Sequence, residues 1–170
     1  DLKDLPVTFR GATIYENALN GTQMADILIS KDVVVDPFTG VNLVLDHVGT
    51  KVNVVLQSSD GTYTTADLNG ATIILPDYLN SGSYNDKGEF VPGTSIGDIS
   101  PENGVAIFPP QTIGNGKNLI EVTLDGRLYE IKVEETAGFE YKGGHEYTLV
   151  VDAVKAKIEV TLDGRLYEIK

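Results

Sequence analysis

Cysteine and tryptophan are absent from this 170-residue sequence, and histidine occurs only twice. Without cysteine the chain has no disulfides, no thiolate metal ligands, no thiol nucleophile and no cysteine to carry a lipid. Its stability must therefore come from side-chain packing, for which an apolar fraction of 41% is ordinary.

Positive charge is also scarce, since 13 Lys and Arg residues stand against 25 Asp and Glu residues and give a formal charge of −12. Phosphate binding needs clustered basic side chains, so nucleic acid is excluded as a partner and anionic membrane surfaces are disfavoured. No apolar run reaches the roughly 18 residues of a membrane span. The acidity is typical of a soluble protein that is secreted or displayed on a surface.

The patterns that usually accompany catalysis are missing. His47 and His145 are far apart in the sequence, and neither has a Glu or His neighbour at metal-ligand spacing. The letters Gly-x-Ser-x-Gly occur once, at 93–97, but within the polar segment 77–101 and not in the strand-to-helix turn of a nucleophile elbow. No glycine-rich phosphate loop follows a strand. We therefore predict no catalytic residue, metal site or cofactor, and we expect each histidine to be a hydrogen-bonded structural residue.

Frequent Val, Ile, Thr and Tyr with 18 glycines and 7 prolines indicate an all-β protein. The clearest element is the segment 120–132, in which two alternating runs flank the pair Asp125-Gly126, a sequence suited to a type I′ hairpin turn. Pairing of Leu124 with Arg127 across this turn would place the apolar side chains on one face of the hairpin. These side chains are Ile120, Val122, Leu124, Tyr129 and Ile131.

The same thirteen residues return without a change at 158–170. An unbroken copy of polar and apolar positions alike indicates a very recent duplication or an added segment, whereas a solenoid would need at least three units at a steady period. We expect this copy to add strands to a sheet, either in its own subunit or in a neighbour. The candidate strand-addition residues are Ile158, Val160, Leu162, Tyr167 and Ile169.

Turn residues divide the chain into an N-terminal arm with short strands (1–40), a β-sandwich core domain (41–152) and a C-terminal strand or hairpin (153–170). We expect seven to nine strands in the sandwich. The predicted core residues are Val44, Val52, Val54, Leu56, Ile73, Leu75, Ile107, Val122, Tyr129 and Val150.

The segment 77–101 is too long and polar for an ordinary connection, which predicts a surface loop with a small hairpin near 86–88. Tyr78 and Tyr84 in this loop are candidate ligand-binding residues, because aromatic side chains can stack on sugars. Tyrosines in β-sheets more often pack half-buried between strands, so this interpretation competes with a purely structural one.

Five segments, taken in order, resemble the fimbrillin-like proteins of Bacteroides-type bacteria: 25–29, 41–52, 108–111, 124–129 and 139–148. They include a Pro-Gln pair after a strand, an Asp-Gly-x-x-Tyr hairpin and a final Gly-His-x-Tyr strand. The resemblance implies an antiparallel Greek-key, transthyretin-like β-sandwich. It also implies an extracellular location on the bacterial outer surface.

Two functions are consistent with this resemblance. The first is a non-enzymatic structural subunit of a fimbria, which assembles with copies of itself or with other fimbrial subunits by β-strand addition. The second is a surface-attached adhesin or glycan-binding module that recognises a host or microbial surface ligand through the loop containing Tyr78 and Tyr84. The fold does not distinguish between them, because one sandwich can host both functions.

Overall fold

Residues 6–15, 24–36, 40–85, 89–154 and 157–168 are described by a computed structural model of the chain. Their regular structure is almost entirely β. The strands of the first half are β1 (Val7–Phe9), β2 (Ala12–Tyr15), β3 (Asp26–Ser30), β4 (Val33–Val35), β5 (Leu45–His47), β6 (Thr50–Gln57), β7 (Thr72–Leu79) and β8 (Gly82–Tyr84). Those of the second half are β9 (Phe90–Pro92), β10 (Ile96–Ile99), β11 (Val105–Phe108), β12 (Gln111–Ile113), β13 (Asn118–Leu124), β14 (Arg127–Lys132), β15 (Phe139–Tyr141), β16 (Glu146–Val154), β17 (Lys157–Leu162) and β18 (Arg165–Glu168).

Two sheets form the sandwich. One has four strands in the order β10-β7-β13-β14, and the other has five in the order β11-β6-β16-β17-β18. All neighbouring strands in these sheets are antiparallel except β16 and β6, which run parallel with Glu146 beside Lys51. The predicted all-β, antiparallel sandwich is confirmed, with this one parallel pair as the exception.

The main core lies between the inner faces of the two sheets, because alternate residues of each strand point to the same side. An aromatic cluster fills one end of it: the Tyr78 ring meets the Phe108 ring edge to face at 5.1 Å, and Tyr141 packs against both. The short pair β12–β15 contributes Ile113, Phe139 and Tyr141 to the same core.

Most of the predicted core residues lie in or against this core. Three are fully buried: Val52, Leu75 and Val122. Four are partly buried against it: Val54, Leu56, Ile73 and Tyr129. Ile107 packs instead against a smaller cluster described below, and Val150 is partly buried on β16.

The prediction for Val44 is wrong, since this side chain is 66% exposed. Val44 precedes β5 in a stretch without strand structure, so its side chain does not alternate into the core.

The hairpin predicted for 120–132 forms in the predicted register, with Leu124 opposite Arg127, Val122 opposite Tyr129 and Ile120 opposite Ile131. Asp125 and Gly126 have φ angles of 51° and 72°, the positive values that a type I′ turn requires. The apolar face of the hairpin enters the core, and the hairpin joins the rest of its sheet through β13 and β7.

A smaller layer is built from the N-terminal strands. β1 pairs with β4, and β2, β3 and β5 form a three-stranded sheet. Met24, Ile27 and Ile29 make a separate small core, against which Val48 and Phe90 pack.

The segment 77–101 is more regular than predicted. β7 continues through Pro76 to Leu79, and β8, β9 and β10 follow. The β8–β9 pair brackets the position expected for a small hairpin, although 86–88 themselves lie outside the described residues. The helix α1 (Thr65–Asn69) was not predicted; Thr64 caps it by accepting from the Asp67 amide, and Asp67 accepts in return from Thr64. No helix in the described ranges is both long and apolar enough to cross a membrane.

Candidate strand-addition site

The second copy of the thirteen-residue sequence extends the five-stranded sheet. β17 pairs with β16 over six residues, from Leu149 opposite Leu162 to Val154 opposite Lys157, and β18 then pairs with β17. The structure therefore places β17 and β18, hereafter the second hairpin, in the sheet of its own chain. Its turn has the same geometry as that of the first copy, with φ angles of 50° at Asp163 and 74° at Gly164.

The apolar face of the second hairpin closes one side of the sandwich. Ile158, Val160, Leu162 and Tyr167 are each at most 4% exposed and belong to the main core. Val160 lies opposite Val151, and Ile158 lies opposite Ala153. Ile169, the fifth candidate, lies outside the described residues.

A carboxylate fastens the second hairpin to the segment that follows β14. The Tyr167 hydroxyl donates to Glu135 Oε1 at 2.8 Å, and Arg165 Nη1 lies 3.5 Å from the same oxygen. The Arg165 guanidinium also lies over the Phe139 ring, 5.9 Å from its centre, which is the geometry of a cation–π contact. The second oxygen of Glu135, Oε2, is buried with no hydrogen-bond partner among the described residues.

The titration of Glu135 and Tyr167 reflects this contact. Partial burial acts to raise the pKa of Glu135, but the bonds from Tyr167 and Arg165 outweigh it and lower that pKa. Burial, with the adjacent Glu135 carboxylate, raises the pKa of Tyr167 above the ordinary tyrosine value. At neutral pH the pair is therefore an anionic acceptor and a neutral donor.

The first copy has the same sequence but different surroundings. Arg127, the counterpart of Arg165, is exposed, and the described residues give it no carboxylate partner. Tyr129, the counterpart of Tyr167, is partly buried near Tyr63, and burial together with this neighbour raises the pKa of Tyr63. The contacts with Glu135 thus come from the position of the second hairpin and not from its sequence.

The two copies also supply the edge strands on one side of the sandwich, β14 in one sheet and β18 in the other. Leu128 is 59% exposed and its counterpart Leu166 is 56% exposed. Unpaired edge strands that carry apolar side chains are the usual places for pairing with another chain.

The prediction that Tyr78 binds a ligand is wrong. Its side chain is fully buried in the aromatic cluster, and its hydroxyl donates to the Leu119 carbonyl at 2.8 Å. Burial raises its pKa well above the ordinary tyrosine value. Tyr84 belongs to β8, but its side chain lies outside the described part of the structure, so its role stays a prediction.

The structure brings together the two histidines that lie far apart in the sequence. His47 and His145 line one cleft, where His47 Nδ1 donates to Asp26 Oδ1 at 2.8 Å and His145 Nδ1 donates to the Gly143 carbonyl at 2.9 Å. Within the described ranges, no three His, Asp or Glu side chains are grouped so that they could hold a metal ion. The sequence could not predict that the two histidines lie close together, because their proximity depends on how the fold positions β5 relative to β16.

A family model described as "Fimbrillin-like" matches residues 7–164, which is most of the chain. The chain belongs to the fimbrillin-like family. The family resemblance carried by the five segments is thus confirmed. No curated protein is significantly similar to this chain.

Solved structures share the fold of this fimbrillin-like chain at low sequence identity. A protein of Bacteroides uniformis with a predicted role in cell adhesion matches 99% of the chain with a TM-score of 0.75 and 17% identity. Similar proteins of Bacteroides thetaiotaomicron and Bacteroides ovatus match 85% and 95% of it, each with a TM-score of 0.58, at 18% and 16% identity. The chain spans 74%, 65% and 60% of these three proteins, respectively.

Proposed function

We propose that this fimbrillin-like chain is a structural subunit of a fimbria on the outer surface of a bacterium. Its partners would be copies of itself or other fimbrial subunits, joined by β-strand addition. In this arrangement the second hairpin of one subunit completes the five-stranded sheet of the next. Membership of the fimbrillin-like family supports the fimbrial role. We assign no catalytic role and no cofactor to the chain.

The observation that carries the strand-addition step is the way the second hairpin is attached. Among the described residues, its backbone pairs with the rest of the sheet only along β16, and residues 155–156 are its sole covalent connection to β16. A neighbouring subunit whose own second hairpin has left β16 offers an identical edge. The hairpin can therefore make the same pairings in either subunit if the backbone between β16 and β17 changes conformation so that the hairpin reaches a neighbour. This is the arrangement known as domain swapping.

The apolar face of the hairpin makes an uncovered state costly. Burial of a large aliphatic side chain contributes about 1.5–3 kcal/mol, so the three buried residues Ile158, Val160 and Leu162 together contribute about 5–9 kcal/mol. A free hairpin would lose this contribution and would be only marginally stable by itself. An opened hairpin therefore has a strong tendency to find a β16 edge, and at high subunit concentration that edge can belong to a neighbour.

Truncation after Val154 tests this proposal, because it removes the second hairpin and leaves the β16 edge open. The full chain and the truncated chain would be compared by electron microscopy and light scattering over a concentration series. We expect assemblies from the full chain, and from the truncated chain a lower melting temperature and no ordered fibre. A truncated chain with an unchanged melting temperature and oligomeric state would contradict the proposal.

A complementation experiment covers the case in which the truncated chain folds poorly. A synthetic peptide of residues 155–170 is added to the truncated protein, with a Val160→Asp peptide as the matched control. We expect the unaltered peptide to raise the melting temperature in a concentration-dependent way, since a ligand that binds only the folded state stabilises it. Equal effects of the two peptides would show that no strand is added along β16.

A further inference from the structure

The cleft that contains both histidines is a second feature of the surface, separate from the second hairpin. It has a volume of about 340 Å³ and lies where the N-terminal layer meets the ends of β6, β11 and β16. This volume is at the lower end of the range for small-molecule sites. Its polar lining residues are Asp26, His47, Lys51, His145 and Glu146.

The polar groups of this histidine cleft are held in place by their own contacts. Asp26 accepts from His47, and Glu146 Oε1 accepts from Asn53 and lies 3.1 Å from Lys51 Nζ. The bonds from Asn53 and Lys51 lower the pKa of Glu146, which is therefore an anion at neutral pH. A site with its acceptors and donors already oriented loses less entropy when a ligand binds.

Two glycines bring the backbone close together in this cleft. The Gly144 amide donates to the Gly49 carbonyl at 2.8 Å. A Cβ on Gly49 would come within 2.8 Å of Met24 Cε, and one on Gly144, where φ is +69°, would come within 2.9 Å of the His47 carbonyl. The two glycines thus hold the strand ends that carry His47 and His145 side by side.

The lining combines polar groups of both kinds with an aliphatic surface. Carboxylates accept hydrogen bonds, the Lys51 ammonium donates them, and an imidazole ring can do either. Val105 and Ile107 supply the aliphatic part. Glu146 is paired with Lys51 and Asp26 accepts from His47, so each carboxylate already has a partner, which favours an uncharged ligand over an ionic one. A pyranose sugar has hydroxyl groups around its rim and C–H groups on its faces, and it is neutral.

We propose that the histidine cleft binds a neutral saccharide unit. Asp26, Glu146 and Lys51 hydrogen-bond the hydroxyl groups, and Val105 and Ile107 contact a C–H face of the ring. The site does not involve the second hairpin, so it can exist whether or not the chain assembles by strand addition.

The two histidines give an unambiguous test, because the chain has no others. Their imidazole NMR signals are followed while methyl α-mannopyranoside, methyl β-galactopyranoside and N-acetylglucosamine are added separately to about 10 mM, a concentration at which binding with a millimolar Kd is evident. Glucuronate and glucosamine are the charged comparators. We expect at least one neutral sugar to shift both signals in a saturable way and the charged sugars to shift them less.

Variants establish where the sugar binds. Lys51 and Glu146 are exposed, so Lys51→Met and Glu146→Gln leave the fold intact, and Glu130→Gln on β14 serves as the matched control. Loss of one charged hydrogen bond corresponds to a weakening of about tenfold or more. We expect this weakening of sugar affinity in Lys51→Met and in Glu146→Gln, and an unchanged affinity in Glu130→Gln. Absence of a shift with every neutral sugar, stronger binding of a charged sugar, or equal affinity in all variants would overturn the proposal.

Discussion

Substitution of Tyr167 by Phe removes one hydroxyl from the contact that fastens the second hairpin. The lost bond is the 2.8 Å donation to Glu135 Oε1. The repeated sequence supplies a matched control, since Tyr129→Phe makes the same change in an identical hairpin whose tyrosine has no carboxylate partner among the described residues. The comparison separates the effect of the Glu135 carboxylate from that of a tyrosine hydroxyl whose neighbour is the uncharged Tyr63.

A hydrogen bond to a charged group contributes about 1.5–3 kcal/mol to stability. Because the side chain of Glu135 is 31% exposed, water can replace part of the lost bond, and we expect Tyr167→Phe to cost about 1.5–2 kcal/mol, near the lower limit of that range. Tyr129→Phe is expected to cost about 0.5 kcal/mol or less. For a chain of this length the difference corresponds to a fall in melting temperature of roughly 2–8 °C.

Urea unfolding of both variants measures these losses, with unchanged m values as evidence that the same transition is being compared. The double variant Tyr167→Phe with Glu135→Gln should be less destabilised than the sum of its single changes, since the two side chains share one bond. Equal losses in Tyr167→Phe and Tyr129→Phe, or strict additivity in the double variant, would refute the assigned role of Glu135.

Three further predictions concern the Glu135 carboxylate, the cap of α1 and a glycine with positive φ. The folded state lowers the pKa of Glu135. Its carboxylate therefore adds stability at pH values above the unfolded-state pKa of about 4.3, and this stability is lost as the pH falls through the folded-state pKa. In urea titrations, the stability difference between the wild type and Glu135→Gln should shrink below about pH 4. Thr64→Ala removes the cap of α1 and should cost about 1 kcal/mol by chemical unfolding. Gly138→Ala, at φ +77° with the Ile113 carbonyl 2.6 Å from the added Cβ, should lower the melting temperature more than Gly126→Ala, where nothing lies within 4 Å.

Local patterns in the sequence were enough to predict both hairpins. The pair Asp125-Gly126 defines a type I′ turn, and alternation on either side then determines which residues face each other. The sheet that each copy joins could not be predicted, because identical sequences carry no information about different neighbours. The Glu135 contact is invisible for the same reason, since it depends on where β18 lies relative to the segment after β14.

Tyr78 shows how a local signal can be overruled by packing. Proline has no amide to donate and often ends a strand, so the loop predicted for 77–101 begins directly after Pro76. The pairing of β7 with β10 is irregular between Gly97 and Ile99, and the ladder between β7 and β13 stops at Ile74, so the missing amide is tolerated. β7 therefore continues and carries Tyr78 into the core.

The parallel pairing of β6 with β16 could not be predicted from the sequence either, since it joins residues about a hundred positions apart. Its consequences include the meeting of His47 and His145 in one cleft. Neither residue has a sequence neighbour that signals this contact.

The central claim is that the second hairpin of one subunit pairs with β16 of another, and disulfide trapping tests it directly because the chain has no cysteine. Val150 on β16 lies opposite Thr161 on β17. Side chains opposite each other in adjacent antiparallel strands have Cβ atoms about 4.5–5.5 Å apart, close to the separation that a disulfide needs. Val150→Cys and Thr161→Cys are placed in separate chains, so that a bond between them can form only across two subunits.

The two variants are mixed under assembly conditions and oxidised, and the joined peptides are identified by mass spectrometry. Thr123→Cys, the equivalent position in the first copy, replaces Thr161→Cys in the control mixture. The account predicts that the mixture of Val150→Cys and Thr161→Cys gives an abundant 150–161 linkage between chains, and that monomers do not contain this linkage. In the control mixture, the 150–123 linkage should not exceed the level produced by random collision. Assemblies that form without the 150–161 linkage, or equal linkage in both mixtures, would contradict it.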